Sequence, residues 1–200
     1  DLTGSLVESN GPVHVFAGHA CARTIDGSCD HVEEQLLPAS LLGRTHVIPV
    51  SDGVSWIQLV ADEDTIVTLS APTGELSDAP GGTCGELETD AELTLAAGAS
   101  CVFAAERPLS VTASASLLVT TLYGENPAMH QNIAVERWRY RYVVPVPTVS
   151  SGVELLIAAP DGAAVSINGR AVTFQDGVLP ADGVDYRVAR VPVGTGPQEL

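Results

Sequence analysis

At 200 residues the chain has room for one large or two small β domains, since domains commonly run to about 100–200 residues. Hydrophobic residues make up 45% of it and charged residues 17%, which excludes a disordered acidic tail, where charge outweighs apolar content. Asp and Glu number 25 against nine Arg and no Lys, a formal charge of −16 that repels phosphate backbones and anionic lipids and excludes nucleic acid as a partner.

In chain order, short β-branched runs punctuated by Gly, Pro and Asp predict strands at 12–17, 45–50, 54–61, 65–70, 91–95, 100–104, 109–113, 117–123, 137–144, 153–159 and 163–167. Their spacing predicts an all-β fold of sandwich type. Residues 30–42 read as holding a short helix ended near Gly43, and residues 73–85, rich in Gly, Pro, Asp and Ser, as a loop. No run approaches the roughly 18 apolar residues of a membrane helix, so no membrane insertion is expected. The chain opens at Asp1 without a basic or apolar leader and has Met129 as its only Met, so it reads as a segment of a longer multidomain protein whose export signal lies upstream.

Sliding the chain against itself by 96 positions sets Pro12 on Pro108, Val15 on Val111, Gln35 on Gln131 and Pro49 on Pro145. This echo predicts two related β-sandwich-like units, 1–96 with a disulfide-bearing loop and 97–200, or one pseudo-symmetric duplicated sandwich. Residues 12–70 are then expected to superpose on 108–167 with matching strand order.

Cys21, Cys29, Cys84 and Cys101 are even in number and fall into two local pairs, the pattern of a disulfide framework in an oxidising compartment. Three connectivities exist; 21–29 with 84–101 is expected because each closes a short loop. His19 and Cys21 stand symmetrically with Cys29 and His31 about that first loop, so the alternative there is a zinc site on those four residues. The reading preferred is structural, with no metal and no cofactor. His19, His31 and Gln35 belong to the loop motif, and Asp30 caps a helix starting at His31.

This stretch resembles the N-terminal domain family of IgG Fc-binding protein. The resemblance rests on Asp1-Leu2-Thr3-Gly4, Pro12-Val13-His14-Val15-Phe16-Ala17-Gly18-His19 with Cys21, Cys29-Asp30-His31, Glu34-Gln35-Leu36-Leu37-Pro38, and Pro127-Ala128-Met129 before Val143-Val144-Pro145. It implies a non-catalytic extracellular or cell-surface recognition and adhesion module within a longer protein, and carries no assignment of immunoglobulin binding to any residue. The alanine-rich, lysine-free composition adds the expectation of a bacterial source.

Arg137-Trp138-Arg139-Tyr140-Arg141-Tyr142 alternates strictly, which on a strand sets three guanidinium groups on one face and three aromatic rings on the other. Arg137, Arg139 and Arg141 are candidate binding residues for an acidic protein or glycan, the guanidinium being a planar bidentate fork. The competing reading pairs them with the chain's own carboxylates and buries the aromatic face. Asp62-Glu63-Asp64 reads as a solvated turn, with calcium as the alternative. Among enzyme signatures the chain has no G-x-S-x-G, no H-E-x-x-H and no phosphate-binding glycine loop, so no catalytic residues are assigned. A carbohydrate-binding module is the second function, with Trp56 as a candidate platform, and a glycoside-active enzyme the third.

Overall fold

The computed structural model describes residues 3–23, 29–50, 53–71, 76–79, 82–84, 87, 90, 92–123, 128–146, 153–175, 177–194 and 198–199. Among them regular structure consists of β-strands and two single-turn 3-10 helices, Ala39–Leu41 and Val135–Arg137. The fold is all-β and sandwich-like. β1 (Phe16–Arg23) and β2 (Cys29–Gln35) form an antiparallel hairpin. β3 (Gly43–Ile48), β4 (Ser55–Ala61), β5 (Thr65–Ser70), β6 (Leu76–Asp78), β7 (Glu92–Leu95), β8 (Ser100–Ala105), β9 (Leu109–Tyr123) and β10 (Met129–Gln131) share one sheet. β11 (Val143–Val144) pairs with the C-terminal β17 (Gln198–Glu199). β12 (Glu154–Pro160), β16 (Val184–Pro192) and β15 (Leu179–Ala181) make a three-stranded sheet in that order, and β13 (Ser166–Ile167) pairs with β14 (Arg170–Ala171).

The large sheet closes a core by folding over a corner. β9 is 15 residues long; its first half pairs with β3 and β5, its second with β4 and β10. β4 and β5 run in the same direction along it, Val60 opposite Leu118 and then Val67 opposite Ala113, so the chain bends at 62–64 without reversing. β7 and β8 follow β5 and β4 in the same way, with Leu95 opposite Thr65 and Ser100 opposite Val60. Three chain segments therefore bend together.

A bend breaks ladder bonds, and buried backbone donors left unpaired are costly. Here they are met locally. The Thr65 and Ser114 hydroxyls lie 3.1 Å apart; Ser114 Oγ accepts from Ile66 N at 2.9 Å and Thr65 Oγ1 from Ala115 N at 3.0 Å. Asp62 N donates to Ser116 O at 3.2 Å, and Asp64 Oδ1 accepts from Ala97 N at 2.8 Å. The acidic triplet is thus part of the corner, and the described residues contain no group of three or more His, Cys, Asp or Glu placed to hold a metal.

Strict alternation on β4 and β5 turns Ile57, Leu59 and Ala61, then Val67 and Leu69, to the inside. There they meet Phe103, Leu109, Val111, Leu117 and Val119 in a single core. Each such side chain contributes about 1.5–3 kcal/mol by leaving water. The outer face of the β3 end carries a second contact: Val47 packs on Leu179, Ala181, Tyr186 and Val188 of the three-stranded sheet, and Ser110 Oγ donates to Pro180 O at 2.6 Å.

Four expectations are corrected. The large sheet crosses the 96/97 boundary, because β8 and β9 pair with β4 and β5. The strand orders of the two halves differ. β4 lies between β8 and β9, whereas β12, its counterpart in the echo, pairs with β16, and β1, the counterpart of β9, pairs with β2. Recurring Pro and β-branched residues produced the echo without equivalent pairing. Residues 29–35 are strand β2, not the start of a helix, because the cystine and pairing with β1 override local propensity. Residues 137–142 are the end of a 3-10 turn and irregular chain, with strand only at Val143–Val144.

Candidate functional site

Cys21 is bonded to Cys29 and Cys84 to Cys101, and the described residues include no free cysteine. The sulfurs of the proposed zinc quartet are therefore bonded to each other and unavailable as thiolate ligands. Around the hairpin cystine, His19 Nδ1 accepts from Cys21 N at 3.0 Å, Asp30 Oδ1 from His31 N at 2.7 Å, and His31 Nε2 lies 3.2 Å from Glu33 Oε2. Asp30 thus receives a backbone N–H, but at the start of a strand. Gly18 is required by close approach: a Cβ there would run into the Val32 carbonyl oxygen. The hairpin is tied to the sandwich by Gln131, whose Nε2 donates to Gln35 O at 2.6 Å and whose Oε1 accepts from Leu37 N at 3.0 Å.

The arginine-rich segment is held by a polar anchor on β3. The buried His46 ring sits between Asn132 O at 3.2 Å and Gly43 O at 3.4 Å. Asn132 donates through Nδ2 to Thr121 Oγ1 at 2.8 Å, and its Oδ1 is 3.1 Å from His130 Nε2. Glu136 turns back so that Oε1 accepts from Arg44 N at 3.0 Å and Thr45 N at 3.2 Å. Burial pushes both His46 and His130 below the ordinary imidazole value, against weaker raising contributions from their hydrogen bonds. Tyr123, stacked on His130 with ring centroids 5.4 Å apart, is pushed up by burial to about 12.

From this anchor the segment projects. Trp138 is half-buried, its Nε1 donating to Ile133 O at 3.0 Å and its ring meeting Tyr186 edge-on at 5.7 Å. Arg137 donates to Ser40 O at 2.9 Å and Leu42 O at 3.4 Å, which fixes the 3-10 turn at Ala39–Leu41 beside it. Arg139 donates through Nη1 to Trp138 O at 3.2 Å, and its backbone N–H donates to Tyr142 Oη at 2.9 Å. Tyr140 is fully exposed, and its chain neighbours Arg139, Arg141, Tyr142 and Val143 are exposed with it.

The expected division into an Arg face and a buried aromatic face does not form. Tyr140 and Tyr142 stand in solvent with the arginines, and only Trp138 packs inward. Elsewhere arginines do meet carboxylates, Arg187 with Asp161 at 2.7 Å and Arg190 with Glu154 at 2.6 Å. Arg137 and Arg139 instead engage backbone carbonyls. Trp56 lies on β4, half-buried, with Ala104 and Leu122 as its cross-strand neighbours. Sequence reasoning missed His46, Asn132 and Glu136. The one signal for His46 is a polar residue standing inside the apolar run 45–50, and nothing in the sequence sets Glu136 apart.

These features define an all-β, disulfide-bearing module that displays an Arg- and Tyr-rich segment on a buried polar anchor. The whole chain, residues 1–200, matches the family model described as IgGFc binding protein, and it belongs to that family. It is 42% identical over 71 residues, 34% of its length, to the IgGFc-binding protein of Homo sapiens. The chain spans about 1% of that relative's length. No solved structure matches it.

Proposed function

We propose that this chain is a non-catalytic extracellular module of a longer multidomain protein, and that it binds an acidic protein surface through Arg139, Tyr140, Arg141 and Tyr142. Family membership supports the protein-binding reading. The two cystines support the compartment, because such bonds persist where the medium is oxidising.

The observation that carries the surface is the exposure of Tyr and Arg side by side, with the neighbouring Glu136 carboxylate turned onto backbone amides. Tyr and Arg dominate interface hot spots because they offer large contact area and directed hydrogen bonds. In a chain of −16 the exposed Arg139 sets positive charge beside Tyr140, which steers an acidic partner at long range. A glycan platform is less well supported: Trp138 is engaged edge-on by Tyr186 and Trp56 is half-buried, so the indole faces are not both free for stacking.

The test compares wild type with the Arg139→Gln/Arg141→Gln double variant on immobilised IgG Fc fragment, a panel of acidic proteins and a glycan array. The human relative is named for IgG Fc, which makes that fragment the first probe. The variant is expected to weaken binding to the captured protein by roughly tenfold or more. Its melting temperature should stay near that of wild type, and wild-type binding should fall with added salt. Unchanged affinity of the variant overturns the assignment of the surface, and binding confined to glycans overturns the choice of partner.

A further inference from the structure

We propose that Asn168-Gly169 is a site of spontaneous backbone modification, at which the folded protein converts its amide to isoaspartate and aspartate. Asn168 and Gly169 both lie in the left-handed region, at φ 49° and 78°, and form the two-residue turn between β13 and β14. Positive φ at both central residues is the signature of a type I′ hairpin turn. Both residues are exposed, and a Cβ placed on Gly169 would find open space.

The chemistry needs only water. The Gly169 backbone nitrogen, on losing its proton to solvent base, attacks Cγ of Asn168. The bond from Cγ to the side-chain amide nitrogen breaks and ammonia leaves, closing a five-membered succinimide. Water then adds to one of the two ring carbonyls. Opening on one side gives aspartate; opening on the other gives isoaspartate, with the chain rerouted through Cβ. The balance is one amide and one water converted to one carboxylic acid and one ammonia.

What normally prevents this attack is a backbone held away from the reactive rotation, and the ladder that frames this turn is short. The β13–β14 ladder comprises two residue pairs, Ile167 with Arg170 and Ser166 with Ala171, prolonged by one bond from Val172 N to Val165 O at 2.9 Å. Gly169 lies between the paired residues, outside the ladder. Asp182-Gly183 makes a turn of the same hand, at φ 48° and 75°, and Asp-Gly can form the same imide. That turn joins β15 to β16, and β16 pairs onward with β12 from Tyr186; its carboxylate is also intrinsically a slower electrophile than the amide of Asn168.

Isoaspartate inserts an extra backbone carbon into a two-residue loop and sets a new negative charge beside Arg170. The I′ turn no longer closes, and Ile167, buried in a cluster with Ile157 and Ala189, loses its anchoring pair. In a long-lived extracellular protein this would act as an irreversible record of age.

The experiment incubates the full purified chain at mildly alkaline pH and body temperature, alongside a synthetic peptide of residues 164–172. Isoaspartate is located by peptide mapping with electron-transfer fragmentation. The folded chain is expected to accumulate isoaspartate at 168 at a rate within an order of magnitude of the peptide's, with Asp182 lagging several-fold. Asn168→Gln, which would require a six-membered ring, should abolish the product, and Gly169→Ala should slow it several-fold. A folded chain that keeps its amide while the peptide converts overturns the proposal.

Discussion

The hairpin and the sandwich each carry one cystine, yet the bond does different work in the two. β1 and β2 pair with each other and, among the described residues, with no third strand; Val13 and Phe16 stand exposed, while Ala22 and Val32 are buried. A two-stranded hairpin is at best marginally stable in water. The Cys21–Cys29 link takes the place of a core that so few apolar residues cannot build. Cys101, by contrast, is buried beside Leu59 in a core that exists without it, and its bond to Cys84 tethers the segment preceding β7 to that core. Covalent closure substitutes for burial in one place and adds to it in the other.

The largest effect that tests this contrast is a core truncation. Phe103→Ala should cost about 3–5 kcal/mol in denaturant unfolding, since Phe103 is fully buried among residues of both layers. Val32→Ala in the hairpin should cost at most about 1 kcal/mol of global stability; an equal loss would make the hairpin part of the cooperative unit. Next come the cystines. Replacing Cys84 and Cys101 together by Ala should lower the sandwich's stability by about 2–4 kcal/mol. The Cys21/Cys29 double alanine variant should leave the main thermal transition nearly in place while hydrogen exchange quickens over 16–35.

The smallest effect is a titration within the sandwich. His46 and His130 are held below their ordinary value of 6.5, so the unfolded chain binds protons more readily than the folded one. Stability from this source is full above pH 6.5 and is lost as pH falls from there through the lowered folded values. Each unit of depression corresponds to about 1.4 kcal/mol. Urea midpoints across the acid range should decline for wild type and less steeply for His46→Gln; identical slopes would remove His46 from the account. Tyr123 acts oppositely, its raised value giving stability that is lost as pH climbs from 10 toward about 12.

Period-two patterning made β4 and β5 legible from sequence, because both strands bury one face: β5 falls on 65–70 as expected, and β4 within a residue. The two runs 109–113 and 117–123 were both visible, but their union in one bent strand was not, since the join depends on hydroxyls of Thr65 and Ser114 donated from different segments. The alternation at 137–142 misled for a related reason. Arg137 is claimed by the Ser40 and Leu42 carbonyls and Trp138 by Ile133, so local hydrogen bonds fold the segment out of any ladder. That arginines lie at the surface here was legible; that Tyr140 and Tyr142 stand there with them, and what holds the segment, was not.

The shared corner has a kinetic consequence. Residues 55–70 must meet both 92–105 and 109–123 before either layer can face the other, so the interactions that close the core span several dozen positions of chain. Loop-closure entropy is spent on these contacts before burial returns it, and a topology of high contact order folds on the slow side, in milliseconds to seconds. Bending all three segments at one seam also leaves no layer that can form alone, so the same feature that delays folding should make the finished sandwich open as a single unit.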